Sequence, residues 1–149
     1  MADALELAYR YLGHRDRTVA EVRRHLERKG ADQAAIEVVV AELTEQGYLD
    51  DARFAQRYAE DRRALDGWGA ERIEERLRAA GIERDVAAQA AQAGAETELE
   101  AAVELLRRRW PTPPADDRDR ERALGLLVRR GYELELAYDA VRAHSREAA

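Results

Sequence analysis

The stretch Thr18-Val19-Ala20-Glu21-Val22-Arg23-Arg24-His25-Leu26-Glu27-Arg28-Lys29-Gly30 decides the fold, because its pattern returns twice. Apolar residues sit eight and four positions before a glycine: Val22 and Leu26 before Gly30, Ile73 and Leu77 before Gly81, Ala123 and Leu127 before Gly131. The glycines are 51 and 50 residues apart. Thr18 and Glu21 form a capping box that opens a helix, and Gly30 supplies the left-handed position that closes it. After each glycine a second helical pattern follows, at Ile36, Val39 and Val40, then Ala87, Ala90 and Ala91, then Ala137, Ala140 and Val141. A helix–turn–helix unit with this period marks a helical repeat protein. Such proteins act through extended surfaces, so function is to be sought in binding.

The periodicity predicts an all-α protein of three tandem three-helix repeats, nine helices in all, forming an elongated and curved array. The repeats are assigned to residues 1–48, 49–95 and 96–149. The first helix, over about 3–13, shows Leu5, Ala8, Tyr9 and Leu12 on one face. Asp32 caps the third helix, and Gly47 ends it. Asp50 caps the fourth, whose face carries Phe54, Tyr58 and Leu65. Asp66-Gly67-Trp68-Gly69 breaks that helix, and the fifth closes at Gly81. An Ala-rich sixth helix covers about 83–92. Thr97-Glu98-Leu99-Glu100 reads as another capping box, opening a seventh helix with Leu99, Ala102, Val103, Leu106 and Trp110 along one stripe. Pro111, Pro113 and Pro114 forbid continuation. The eighth helix is expected from Asp116 to Arg130 and the ninth over 133–145, with a frayed tail after Ser145.

Composition narrows the function. Of 149 residues 38% are charged and 6% aromatic, and the net charge is −6. There is no cysteine, so disulfides and thiolate metal sites are excluded. No apolar run reaches the ~18 residues a membrane span needs. The opening Met1-Ala2-Asp3-Ala4-Leu5-Glu6 is acidic and amphipathic, unlike a secretory leader. A cytoplasmic protein, monomeric when free, is expected. Lys29 is the lone lysine beside 24 arginines. Residues 10–30 hold seven basic and three acidic side chains, and residues 107–130 hold eight and four.

No catalytic constellation emerges. His14, His25 and His144 lie in three contexts, His25 on a solvated face and His144 beside Ser145 in the tail. Gly67-Trp68-Gly69 lacks the setting of a phosphate loop. No cofactor, metal or catalytic residue is therefore assigned. Asp50 and Asp51 read as helix-capping residues before they read as a metal pair, and a contact to a partner's arginine is a third reading. Phe54 and Tyr58, four apart, belong to the core. Trp68 either packs between repeats or anchors a partner. Arg53, Arg57, Arg62, Arg63 and Arg72 either pair with Glu60, Asp61, Asp66 and Glu71 on the surface or form a binding face. Arg107, Arg108 and Arg109 suit a helix C-terminus, with phosphate contact as the alternative.

The block Leu49-Asp50-Asp51-Ala52-Arg53-Phe54-Ala55, followed by Tyr58, Arg62 and Gly67-Trp68-Gly69-Ala70-Glu71-Arg72-Ile73, resembles the core of the RecX regulatory proteins of bacteria. Tyr11-Leu12 with Arg15, Arg17, Glu21, Val22, Leu26 and Gly30 is similar to the first RecX repeat, and Arg129-Arg130-Gly131-Tyr132 with Ala140 and Val141 to the third. The resemblance implies a protein that binds the RecA recombinase, settles into the groove of its filament on DNA and inhibits ATP hydrolysis and strand exchange, with no catalysis of its own. It differs from the common family pattern in having almost no segment before the first repeat and in its acidic balance. The partner face is placed at Asp50, Asp51, Arg53, Arg57, Arg62, Arg63, Trp68 and Arg72. Candidate DNA-phosphate contacts are Arg15, Arg17, Arg23, Arg24, Arg107, Arg108 and Arg109. The alternative is a nucleic-acid-binding helical module that works without the recombinase.

Overall fold

A computed structural model describes residues 3–148; Met1, Ala2 and Ala149, and with them the first two positions of the stretch read as unlike a leader, lie outside the described residues. Among the described residues there are nine α-helices and no strand. They are α1 (Ala4–Leu12), α2 (Val19–Arg28), α3 (Gln33–Glu45), α4 (Asp51–Asp61), α5 (Ala70–Ala79), α6 (Arg84–Gln92), α7 (Glu98–Arg109), α8 (Asp117–Arg129) and α9 (Leu134–Arg146). Their starts follow from capping chemistry. Asp3, Thr18, Asp32, Asp50 and Asp116 each accept a hydrogen bond from a backbone N–H of the first turn, and Thr18 with Glu21 completes the expected capping box. Each such cap contributes about 1 kcal/mol.

The glycine period is the structural period. Gly30, Gly81 and Gly131 have φ of 87°, 89° and 97°. In each repeat the residue after the glycine donates its N–H to the carbonyl five positions earlier: Ala31 to Leu26, Ile82 to Leu77 and Tyr132 to Leu127, at 3.0–3.1 Å. The same closure thus ends α2, α5 and α8.

Each repeat has its own core. The first is built on Val22, Leu26, Ile36 and Leu43, the second on Ile73, Leu77 and Ile82, the third on Leu106, Leu127 and Tyr132. Leu49 packs in the first core, one residue beyond the 48/49 cut. The cores are unequal. Five of the eight buried residues in the second are alanine, against one of eight in the first. The half-buried Phe54, Tyr58 and Trp68 close the lean second core. The accessible surface is 9385 Å², whereas a compact 16.9 kDa protein exposes about 7,700 Å². The excess is that of an extended array.

Five local expectations are corrected. Past Asp61 the α4 backbone widens into a π-helical turn, Arg62–Asp66, which ends at Gly67 with φ 66°. That rotation leaves Leu65 74% exposed rather than beside Phe54 and Tyr58. Thr97 makes no capping hydrogen bond; a 3₁₀ turn, Ala95–Thr97, leads into α7, and the Thr97 hydroxyl donates to the Gly94 carbonyl. In the first turn of α7 Glu98 is buried and Leu99 exposed, while Ala102, Val103 and Leu106 are buried as expected. His25 is not simply solvated: it stacks on Tyr11 with ring centroids 4.0 Å apart, and burial and neighbouring cations lower its pKa. His144 is buried in a helix that runs on to Arg146, its Nε2 lying 3.0 Å from the Trp110 carbonyl.

Candidate interaction face and the joints that set it

The repeats meet through one joint used twice. The C-terminal end of α5 rests on the N-terminal end of α2, and the C-terminal end of α8 rests on that of α5. A Cβ on Gly81 would overlap the Cβ of Ala20, and one on Gly131 would lie 2.6 Å from the Arg72 nitrogen. Only glycine permits these approaches. At the first joint the Thr18 hydroxyl donates to the Ala80 carbonyl at 2.6 Å. At the second, the Gly69 N–H donates to the Arg130 carbonyl at 2.8 Å and the Glu71 N–H to the Gly131 carbonyl at 3.0 Å.

A carboxylate completes each joint. Asp51 and Glu98 are both the first residue of the first helix of their repeat. Asp51 Oδ1 accepts from the Val19 N–H at 2.9 Å, and Glu98 Oε1 from the Ala70 N–H at 2.6 Å. Each therefore caps the second helix of the preceding repeat, where the partial positive charge of the helix start favours an anion. Burial nevertheless pushes both carboxyl groups above their ordinary pKa. Both aspartates of the Leu49-Asp50-Asp51 block thus cap helices. Asp50 caps its own helix on Arg53 N–H at 3.1 Å, and Asp51 caps its neighbour's. Among the described residues no group of three His, Asp or Glu side chains is placed to hold a metal ion.

Beside the second joint lies an open groove of about 680 Å³. Ala52, Gln56 and Glu60, four apart on α4, form one wall; Val86 and Ala90 of α6 and Ala101 of α7 contribute to the others, with Trp68 and Tyr132 also in the lining. Of the residues assigned to the partner face, the groove brings together Arg63 and Trp68. Trp68 stacks under Arg72 (4.2 Å to the ring centroid), with Arg76 and Arg62 at 5.6 and 6.0 Å and the Tyr58 ring edge-on at 6.3 Å. It packs at the edge of its own core and keeps part of its ring toward the groove.

The other assigned residues are spread. Arg53 donates to the Gly47 carbonyl at 2.6 Å, and Arg62 pairs with Asp66 at 2.5 Å. Arg57 reaches Asp16 of the first repeat at 3.6 Å, both exposed. Arg63 donates to the Ala91 carbonyl and lies 3.4 Å from Glu98. Arg72 donates to the Arg129 carbonyl at 3.0 Å. Asp51, Arg53, Arg63 and Arg72 therefore spend polar atoms inside the chain, at the joints.

The candidate phosphate contacts are mostly paired as well. Arg15 meets Glu21 at 3.2 Å, Arg17 lies 4.0 Å over Tyr11, and Arg23 pairs with Glu37. Arg24 donates to a carbonyl of its own helix, Ala20, at 3.5 Å. Arg107 bridges Glu104 and Glu147, which raises its own pKa and lowers that of Glu147. Arg108 lies 3.5 Å from Glu104, and Arg109 sits 5.0 Å over Trp110. All three arginines end α7, where cations complement the helix dipole.

Glu98, Arg130 and Tyr132 were not assigned from sequence. Arg130 donates to the Asp66 carbonyl at 2.8 Å, and the buried Tyr132 hydroxyl donates to the Gly67 carbonyl at 2.9 Å. Burial pushes the Tyr132 hydroxyl up to about 12. Tyr132→Phe is expected to cost about 1 kcal/mol, one hydrogen bond, read as a shift of the urea midpoint at unchanged m value. The available signal was register: Glu98 opens its repeat as Asp51 does, and Arg130 and Tyr132 flank the closing glycine.

Three family models match in order: RecX first three-helix domain over residues 4–43, second over 50–90 and third over 96–141. The chain belongs to the RecX family. Curated relatives named regulatory protein RecX include those of Amycolatopsis mediterranei (35% identical over 97% of this chain and 84% of the relative), Leptothrix cholodnii (36%, 91% and 85%) and Deinococcus radiodurans (36%, 93% and 66%). The crystal structure of RecX from Lactobacillus salivarius superposes with a TM-score of 0.85 at 18% identity, covering 96% of this chain and 95% of that one. That likeness shows a shared RecX fold. Among the described residues no helix is long and apolar enough to cross a membrane.

Proposed function

We propose that this RecX-family chain binds the RecA recombinase in its filament on DNA, in the cytoplasm, and restrains ATP hydrolysis and strand exchange. The observation that carries the reading is the match of all three RecX domains, in order, along the chain. The extended array supports it, since three small modules in line can span neighbouring protomers of a polymer. Many modest contacts then add through connectivity. In this reading the modules divide at 48/49 and 95/96. The groove with Trp68, together with the exposed Asp50, Arg53, Arg57 and the half-exposed Arg62, meets the partner. Asp51, Arg63 and Arg72 hold the angle at which that face is offered.

Co-sedimentation with recombinase filaments on single-stranded DNA tests the binding. The chain is expected in the pellet with filaments, and Trp68→Ala is expected to weaken retention about tenfold, as for a partly buried aromatic anchor. Retention by bare DNA alone, falling steeply with salt, would instead favour the independent nucleic-acid module. The Arg-rich stretches 10–30 and 107–130 are the observation behind that second reading.

A further inference from the structure

The two joints share a plan but not a strength. Among the described residues three hydrogen bonds cross the first: the Thr18 hydroxyl to Ala80, the Val19 N–H to Asp51 and the exposed Arg53 guanidinium to the Gly47 carbonyl. The Asp16–Arg57 ion pair beside them is exposed and worth little. The second joint carries the N–H groups of Gly69, Ala70 and Glu71 onto Arg130, Glu98 and Gly131. It adds Arg63 to Glu98, Arg72 to the Arg129 carbonyl, Arg130 to the Asp66 carbonyl and Tyr132 to the Gly67 carbonyl. The Leu105 side chain also packs onto Gly67.

The cause lies in three register positions. The residues before and after the closing glycine are Arg130 and Tyr132 at the second joint, but Ala80 and Ile82 at the first. Neither Ala80 nor Ile82 has a side-chain donor to send across. The counterpart of Arg72 is Glu21, which is engaged in the capping box of its own helix. The cores agree with this division. The first is rich in large aliphatics, whereas five of the eight buried residues of the second are alanine, so the second repeat has less apolar packing of its own.

We infer that the joint between the first and second repeats is the hinge of the array, and that the second and third repeats move as one body. The first repeat swings about the Thr18–Ala80, Val19–Asp51 and Arg53–Gly47 contacts, with Gly81 seated on Ala20 as the pivot. Such a hinge lets an extended binder adjust to the pitch of an elongated partner while the groove beside the second joint keeps its shape. The inference concerns the free chain and does not rest on the partner proposed above.

The chain has no cysteine, so pairs of spin labels can be placed cleanly. Labels go on the exposed Glu42 and Gln92 across the first joint, and on Gln92 and Glu135 across the second. Pulsed dipolar spectroscopy on the full chain is expected to give a distance distribution about twofold wider across the first joint, and hydrogen exchange about tenfold faster at the Val19 amide than at Ala70. An Arg130→Ala, Tyr132→Phe double variant that retains its helicity is expected to widen the second distribution to match the first. Equal widths and equal exchange in the parent overturn the hinge. A second distribution that stays narrow in the folded double variant overturns its assigned cause.

Discussion

Gly131→Ala is expected to cost about 3–4 kcal/mol, where Gly30→Ala costs about 1. Both glycines hold a left-handed backbone, with φ of 97° and 87°, so both substitutions bear the strain of an L side chain there. They differ in surroundings. Around Gly30 a Cβ would meet nothing within 4 Å, because no other helix among the described residues docks on this end of α2. At Gly131 it would run into the backbone of Arg72, where no flexible side chain can yield. The excess at Gly131 measures the tightness of the second joint. Urea unfolding followed by circular dichroism reads both variants. The transition of Gly131→Ala should also split, because repeat arrays lose cooperativity when an interface fails. Equal losses at the two glycines would mean that helix closure, not docking, is what the glycine serves.

Glu98→Ala is expected to cost about 3 kcal/mol, the loss seen when one member of a buried ion pair is removed. It strands the Ala70 N–H and leaves the mostly buried Arg63 without its carboxylate. Glu98→Gln keeps an oxygen for the Ala70 N–H and should cost far less. The pH dependence has a defined sign. Burial raises the Glu98 pKa in the folded chain, so the folded state holds this proton more tightly than the unfolded one. The charged form is a cost above the raised pKa, relieved as pH falls toward the ordinary carboxylate value of about 4.3. The penalty for keeping Glu98 charged, taken against Glu98→Gln, should shrink from pH 7 to pH 4. A penalty that grows on acidification would show that the Arg63 pairing outweighs burial.

The repeat, the caps and the closing glycines were legible because each is local. Thr18 with Glu21, and Leu26 with Gly30, act within one helix, and a short window of sequence contains every partner. The joints were not legible, since their partners are far apart in the chain. Asp51 and Val19 are 32 positions apart, and Tyr132 and Gly67 are 65. Local pattern also misled where a long-range contact outcompeted it. Apolar periodicity chose Leu99 for the interior, but the amide of Ala70 and the guanidinium of Arg63 draw Glu98 inward. Leu65 was lost to a π-helical turn, which shifts the face by a fraction of a turn that no 3.6-residue template anticipates. The Thr97 capping box was pre-empted by the 3₁₀ turn that swings Glu98 toward the second repeat. On the candidate face, residue type is legible in sequence, whereas which polar atoms are already engaged across a joint, as those of Asp51, Arg63 and Arg72 are, is visible only in the structure.

The proposed restraint of a recombinase filament by this RecX-family chain works through a coupled array of three modules. The most direct measurement is the single-stranded-DNA-stimulated ATPase of the cognate RecA, with the full chain added to about tenfold molar excess, enough to saturate a complex of micromolar affinity or tighter. The account predicts that turnover falls as the chain is added, and that Glu98→Ala, still helical but loosened at the second joint, inhibits less. An ATPase that runs unchanged at that excess would contradict it.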